Sequence, residues 1–195
     1  MKIIIPGLLI SMAVISPAAA KSFDGTYAGI TLGYNHDKVE PKRDGSSTTR
    51  TIERDSAMVG IFAGYDKMIA SNFVLGGEVA LNGPADNKLR SNQGGLPITV
   101  DPRLAVYASV RAGYLIDGRT MLYLRGGHAS ARIHTTTGQG AAIGSTLDGW
   151  HAGAGLEYAI AKHANARIEY RYTDVGGGGR SFQRQQALFG VSYLF

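Results

Sequence analysis

Apolar and polar side chains alternate strictly through much of this chain, and the pattern is clearest between Gly149 and Asp174. One row of this stretch is apolar or aromatic: Trp150, Ala152, Ala154, Leu156, Tyr158 and Ile160, continued after a polar break by Ile168, Tyr170 and Tyr172. The intervening row is small or charged. A period of two is the side-chain period of a β-strand. Two such runs joined by a short polar turn predict a hairpin.

The same alternation recurs along the chain and predicts eight strands. Six of them cover about 26–35, 57–66, 73–82, 103–115, 121–133 and 187–195, and the hairpin described above supplies the other two. The dipeptide Asp117-Gly118 predicts a two-residue hairpin turn between the fourth and fifth strands. Phe62 is an apolar exception on a row that is otherwise small or polar.

The connections between these strands alternate between long and short. The long ones cover about 36–56, 83–102, 134–146 and 175–184. An even strand number, with short turns at one end and long external loops at the other, is typical of bacterial membrane barrels. Ten residues tilted by about 40° cover about 25 Å, the height of the apolar band of such a barrel. A soluble lipocalin-like barrel also has eight strands, but nothing in it requires this rhythm.

We therefore predict an all-β fold, an eight-stranded antiparallel up-and-down transmembrane β-barrel. Residues 1–20 have the positive start, apolar centre and Ala-x-Ala end of a secretory signal peptide, which leaves 21–195 as one domain. No later run approaches 18 consecutive apolar residues, so helical membrane spans are not expected. The chain has no cysteine, and its net charge of +5 is spread out, which argues against a nucleic-acid partner.

If the polar row faces inward, the lumen holds many ionised groups. An eight-stranded barrel is just wide enough for side chains to fill it, and arginine binds carboxylates bidentately. We therefore predict a plugged interior with a salt-bridge network formed by Asp66, Glu78, Arg103, Arg111, Arg125, Glu157, Arg167, Glu169 and Arg171.

The apolar row would then face lipid, with its aromatic rings near the membrane surfaces. The predicted interface aromatics are Tyr34, Tyr65, Tyr114, Trp150, Tyr158, Tyr170 and Tyr172.

Three stretches carry a resemblance to a known family: GWHAGAGLEYAI with ARIEYRYTDVG at 149–176, SVRAGYL at 109–115, and the terminal VSYLF. These three stretches resemble parts of small Gram-negative outer-membrane proteins related to outer membrane protein A, in particular porin-like surface antigens. The terminal Phe195, with Tyr193 two residues before it, is similar to the signal that the outer-membrane assembly machinery recognises. The resemblance implies the outer membrane as location. It also implies lipid, lipopolysaccharide, periplasmic chaperones and that machinery as partners.

Candidate chemistry is sparse. His128 and Ser130 share one face and resemble the His-x-Ser pair of lipid A deacylases, but Ala131 replaces the asparagine of that pattern and no carboxylate is evident on the outward row. The five histidines show no metal spacing. Some relatives of the family bind haem, for which His36 and His134 are candidate ligands.

We accordingly expect no catalysis, no cofactor and no metal. The predicted function is that of a structural outer-membrane barrel that exposes four segments for surface interaction, of which 36–56 is the longest and most charged. Three alternatives stay open: a small diffusion channel, a lipid A-modifying hydrolase and a haem-binding surface protein.

Overall fold

The computed structural model describes residues 23–40, 52–85, 90–93, 96–136, 142–177 and 180–195. The predicted signal peptide lies outside these ranges. The described residues form nine strands: β1 (Gly25–Glu40), β2 (Ile52–Ala70), β3 (Phe73–Pro84), β4 (Arg90–Gln93), β5 (Leu96–Leu115), β6 (Thr120–Thr136), β7 (Ala142–Ala161), β8 (Ala164–Gly177) and β9 (Arg180–Leu194).

Eight of these strands close into an antiparallel barrel, which confirms the predicted fold. Each barrel strand pairs with its neighbours in the order β1-β2-β3-β5-β6-β7-β8-β9, and β9 pairs back onto β1. The short β4 lies outside this ring and pairs only with the start of β5. Closure satisfies the hydrogen-bonding groups that an open sheet would leave at its edges, which is the condition for a sheet inside a bilayer.

The register of the barrel defines the strand tilt. A path of paired residues that leaves β1 at Asn35 crosses the other seven strands and returns to β1 at Gly25, ten residues lower. A stagger of ten over eight strands corresponds to a tilt of about 40°. Each residue therefore rises by about 2.5 Å along the barrel axis.

The strands are longer than the sequence pattern indicated. β5 and β7 each contain 20 residues and β2 contains 19, so strands extend into all four segments predicted as loops. Only 41–51, 86–89, 94–95, 137–141 and 178–179 of those segments lie outside the described residues. The prediction stopped where the alternation stopped, but strand pairing depends on backbone hydrogen bonds and continues through polar residues.

Both ends of the described chain lie at the end of the barrel that carries the short turns. The Phe195 N–H donates to the Thr26 carbonyl at 2.9 Å, and the Leu194 N–H donates to the His163 carbonyl at 2.9 Å. Phe23 lies inside this end, only 1% exposed, in an apolar cluster with Val74, Leu115, Met121, Tyr123 and Ala159. We call this cluster the apolar floor.

The turn between β5 and β6 differs from the prediction. Four residues, 116–119, connect the strands, and Gly118 does not have the positive φ that a two-residue type I′ turn requires. Asp117 organises the turn instead, because its carboxylate accepts the N–H groups of Arg119 (2.7 Å) and Thr120 (2.6 Å). The hydrogen bond from the Arg119 N–H is the main reason that the pKa of Asp117 lies below its usual value.

The side chains are divided between the outer and inner faces of the barrel as the alternation predicted. Large apolar side chains such as Val110, Leu124 and Ile168 are 59–68% exposed on the outside. The charged side chains next to them in sequence, Arg111, Arg125 and Arg167, point inward and are buried. No helix in the described ranges is long and apolar enough to cross a membrane.

Candidate functional site

The barrel interior is the candidate site, since it holds most of the charged strand side chains that the structure describes. Eight of the nine side chains predicted for the lumen are buried there, each no more than 5% exposed. They are Asp66, Glu78, Arg111, Arg125, Glu157, Arg167, Glu169 and Arg171. The side chain of Arg103, the ninth, lies outside the described part of the structure.

Glu78 on β3 is the centre of the network. The guanidinium of Arg167 donates to both of its carboxylate oxygens at 2.6 and 3.1 Å, and Arg125 donates to Oε1 at 2.8 Å. The Tyr27 hydroxyl donates to Oε2 at 3.0 Å. Arg111 approaches the same oxygen at 3.6 Å. One carboxylate thus joins side chains from β1, β5, β6 and β8.

A second group of contacts forms around Arg111 on β5. Its Nη2 lies 2.8 Å from Glu157 Oε2 and 3.1 Å from Asp66 Oδ2, and its Nη1 donates to the Tyr27 hydroxyl at 3.3 Å. Asn165 donates to the other oxygen of Glu157 at 2.9 Å. Arg111 therefore connects β2 and β7 across the lumen.

A third group surrounds Glu169 on β8. Arg171 binds Glu169 Oε1 through Nε at 2.8 Å and Nη2 at 2.6 Å. Glu169 Oε2 accepts the Tyr123 hydroxyl at 2.7 Å and Arg125 at 3.2 Å. Because Arg125 also binds Glu78, it joins this group to the centre, and its second amino group donates to the Ser109 hydroxyl.

Charge is balanced within these three groups, which we call the ion-pair layer. Four carboxylates face four guanidinium groups, and aromatic rings cover several of the cations. Arg167 lies 3.6 Å from the Phe62 ring centroid, Arg111 lies 4.6 Å from that of Tyr123, and Arg171 lies 4.8 Å from that of Tyr107. Phe62, the exception in the sequence pattern, thus faces inward and packs on a buried cation.

Inward-facing glycines make room for these large side chains. A Cβ added at Gly64 would overlap the Tyr27 ring, and one at Gly155 would overlap the Tyr123 ring. At Gly190 it would come within 3.1–3.2 Å of the Arg167 side chain. The glycines that recur inside the strands therefore set where a neighbouring strand can place an aromatic ring or an arginine.

The neutral partners of the network do not stand out in the sequence pattern. Tyr27, Tyr123, Ser109 and Asn165 all contribute hydrogen bonds to it. Tyr27, Tyr123 and Ser109 could have been identified from their positions on the inward row of a strand. A further ion pair lies nearer the long-segment end, where Arg184 binds Asp37 bidentately at 2.7 and 2.9 Å.

The predicted interface aromatics all lie on the outer face. Six of them are 37–54% exposed: Tyr34, Tyr65, Tyr114, Trp150, Tyr158 and Tyr170. Tyr172 is half-buried against Trp150, with 5.5 Å between ring centroids. The register places Tyr65, Tyr114 and Tyr158 near the short turns and the other four nearer the long segments. Tyr193 and Phe195 also point outward and pack edge to face.

The expectation that no carboxylate accompanies His128 on the outward row is wrong. Asp148 on β7 pairs with Ser130 across the strands, and its Oδ1 lies 3.5 Å from His128 Nε2. Alternation within one strand could not reveal a partner on the next strand. Both side chains are more than half exposed, and no hydrogen bond joins Ser130 to His128 in the described structure. The groups of a hydrolytic triad are thus close together, but they are neither buried nor aligned.

The structure offers little support for a haem or metal site. His36 Nδ1 lies 2.8 Å from Asp55 Oδ1, so one nitrogen of the His36 ring already has a partner. The structure does not describe the side chain of His134. No group of three or more potential metal ligands occurs among the described residues.

An apolar exterior around a charged interior defines an integral membrane β-barrel. Comparison with protein families agrees: residues 7–195 match the outer membrane protein beta-barrel domain, and the chain belongs to this family. The protein is accordingly an integral β-barrel of the cell outer membrane.

Similar curated proteins come from Brucella. The 31 kDa outer-membrane immunogenic protein of Brucella melitensis is 28% identical over 184 residues, covering 85% of this chain and 77% of that protein. The 25 kDa outer-membrane immunogenic protein of Brucella abortus is 31% identical over 165 residues, covering 84% and 71%.

Solved structures share the fold. Ail, the attachment invasion locus protein of Yersinia pestis, aligns with a TM-score of 0.56 at 16% identity, covering 88% of this chain and 99% of that one. Neisserial surface protein A aligns with a TM-score of 0.57 at 15% identity, covering 88% and 100%.

Neutralising the central carboxylate is expected to destabilise the barrel strongly. The Glu78→Gln variant leaves Arg125 and Arg167 buried without their main counter-charge, and such a loss costs about 3–5 kcal/mol. Urea unfolding of the refolded barrel in detergent measures the effect. The exposed Asp148→Asn variant is the control and should change stability by no more than about 1 kcal/mol. Equal effects of the two substitutions would contradict a central role for Glu78.

Proposed function

We propose that the protein is a non-catalytic structural barrel of the outer membrane, with a lumen sealed by its ion-pair layer and segments displayed at the cell surface. The observation that carries the proposal is the interior around Glu78, where four carboxylates and four arginines bridge opposite walls of the barrel at 2.6–3.6 Å. A diffusion channel needs a continuous aqueous path instead.

The energetics of these pairs favour closure. An ion that crosses the lumen would have to separate arginines from carboxylates that are buried in a low-dielectric environment. Phe23 and its apolar neighbours fill the short-turn end of the same lumen. Two successive barriers, one charged and one apolar, therefore oppose conduction.

Planar-bilayer recording tests the closure directly. We expect no steady conductance from the refolded wild-type barrel. The charge-balanced double variant Arg111→Ala/Glu157→Ala removes one bridge across the lumen and should increase conductance. The matched control His128→Ala/Asp148→Ala removes a polar contact from the outer face and should leave the trace unchanged. A steady ohmic conductance of the wild type that matches the lumen variant would refute the sealed interior.

Surface display is the second part of the proposal. The segments between strands at the end opposite to the chain termini correspond to the external loops of outer-membrane barrels. Two Brucella relatives are named as immunogenic, and Ail has been crystallised in complex with the heparin analogue sucrose octasulfate. These names support a role of the equivalent segments here in surface recognition, first of all that of residues 41–51 between β1 and β2, a stretch rich in charged side chains.

Replacing residues 41–50 by a short Gly-Ser linker tests surface display. Antibodies raised against the 41–50 peptide should bind intact cells that carry the wild-type protein and lose that binding with the replaced variant. Heat-modifiable gel mobility should be the same for both proteins, since the strands are kept. If the antibodies bind wild-type cells only after permeabilisation, the segment faces the periplasm and the assignment of the two ends is reversed.

A hydrolase is the second candidate function, because Asp148 supplies the carboxylate near His128 that the sequence did not reveal. The exposed, loosely aligned groups favour a non-catalytic role. Mass spectrometry of lipid A from cells with wild-type protein or Ser130→Ala decides between the two, and we expect identical acyl patterns. A pattern that changes with Ser130→Ala but not with the neighbouring control Thr146→Ala would establish catalysis.

The outer face of the barrel suggests the remaining partners, which are lipids and the assembly machinery. Its apolar band with aromatic rings near both ends suits outer-membrane lipid and lipopolysaccharide, and these are proposed as its surroundings. Tyr193 and Phe195 at the chain end are proposed as the signal read by the assembly machinery. Both side chains point outward at the end of β9, Tyr193 within the strand and Phe195 just after it, where a partner can reach them.

A further inference from the structure

His151 on β7 is a buried titratable side chain that takes no part in the ion-pair layer. It points inward, is 1% exposed, and has no hydrogen-bond partner at either ring nitrogen in the described structure. Its ring packs edge to face on Tyr107 of β5, with 5.2 Å between the ring centroids. Tyr107 is itself 1% exposed. The two rings therefore fill part of the lumen directly above the ion-pair layer, on the side of the long segments.

Two guanidinium groups lie below the His151 ring. The next inward position on β7 is Gly153, and its cross-strand partners are Arg125 on β6 and Arg171 on β8. Because glycine has no side chain, Gly153 does not separate the ring from these two cations. The guanidinium of Arg171 also lies 4.8 Å from the Tyr107 ring centroid, so the imidazole and a cation share one aromatic ring.

The carboxylate that faces His151 from β8 is already occupied. Glu169 Oε1 accepts Arg171 Nε at 2.8 Å. Its Oε2 accepts the Tyr123 hydroxyl at 2.7 Å and Arg125 Nη1 at 3.2 Å. Both oxygens of Glu169 thus serve groups of the ion-pair layer, and the carboxylate adds no unmatched negative charge below the imidazole.

The other polar groups near this level are matched as well. Towards the long segments, the two oxygens of Asp37 on β1 bind the guanidinium of Arg184 on β9, at 2.7 and 2.9 Å. From β5 the His151 ring meets the neutral phenol of Tyr107, and from β6 it meets the backbone of His128. Among the described residues, the charges at this level are therefore balanced only while His151 is neutral.

Protonation of His151 adds a third positive charge beside Arg125 and Arg171. Histidine is the side chain whose charge ordinarily changes between about pH 5 and pH 8. Like charges repel strongly in a buried, low-dielectric place, and a buried charge without a counter-charge is unfavourable. Rotation of the imidazolium towards the long segments, where water can reach it, relieves both penalties.

We propose that His151 is a proton-operated latch of the lumen. Neutral, its ring stays packed on Tyr107 and closes the level above the ion-pair layer. Protonated, the ring leaves this position, and the level opens to water from the long-segment end. The inference rests on the proposed sealed lumen, since the ion-pair layer is the closure that remains below the open latch.

A single cysteine beside His151 tests the latch. The chain contains no cysteine, and Thr173 on β8 is the cross-strand partner of His151 and is 3% exposed. Thr173→Cys therefore places one thiol at the latch, and its rate of reaction with methyl methanethiosulfonate reports how open this level is. The rate is measured in lipid nanodiscs at about pH 7.5 and about pH 5.5, on either side of the usual histidine pKa of about 6.5.

The double variant Thr173→Cys/His151→Phe is the matched control, since phenylalanine keeps an aromatic ring against Tyr107 and cannot be protonated. Acid slows the reaction of any thiol, so the ratio of the two rates at each pH is the measured quantity. We expect similar rates at the higher pH and several-fold faster modification of the histidine protein at the lower pH.

Two outcomes overturn the latch. Equal rates for the two proteins at both pH values show that the charge on His151 does not open this level. Rapid modification of both proteins at the higher pH shows that the level is open even with a neutral ring. Bilayer conductance at the higher pH remains the separate test of the sealed lumen, so failure of the latch and failure of the closure are distinguishable.

Urea unfolding gives a second readout that needs no cysteine. The unfolded chain accepts a proton on His151 without repulsion from Arg125 and Arg171, so acid favours unfolding and the wild-type midpoint should fall as the pH is lowered. His151→Phe should lose less of its midpoint over the same range. His128→Phe, on the outer face where that side chain is 63% exposed, should behave like the wild type.

An equal loss of midpoint for the wild type and His151→Phe overturns the latch. If His151→Phe does not refold, His151→Asn is measured instead, because asparagine is similar in size to histidine and also carries no charge.

Discussion

The buried carboxylate of Glu78 and the arginines around it form the interaction on which the rest of this interior depends. A barrel of eight strands with a stagger of ten is wide enough to hold long side chains but too narrow to hydrate them fully. A charge placed there must find an opposite charge on another strand. The network therefore ties together strands that are distant in sequence, and Glu78 with Arg167 joins residues 89 positions apart.

The alternation that turns charged side chains inward turns apolar side chains outward on the same strands. Leu124 and Arg125 are neighbours in β6, yet the first is 65% exposed and the second 4%. In water this arrangement would be unfavourable on both faces. In a bilayer the apolar face is solvated by acyl chains, and closure of the sheet satisfies the backbone. The fold is thus specific to the outer membrane, in agreement with the family to which the chain belongs.

Glycine and aromatic residues act together in the lumen. The rings of Tyr27 and Tyr123 lie over Gly64 and Gly155 and reach the carboxylates of Glu78 and Glu169 through their hydroxyl groups. A larger residue at either glycine would displace a hydrogen-bond donor from the network.

The sequence by itself determined the strand type, the number of barrel strands and the face on which Glu78 or Leu124 lies, because a period of two is a local property of each strand. It did not determine which arginine meets which carboxylate, nor that Asp148 accompanies His128, because these contacts depend on the register between strands. The sequence also did not reveal where the strands end, since strand pairing continues through polar residues such as His36 and Asp37. Only closure of the barrel, which sets one stagger for all eight strands, decided these partners.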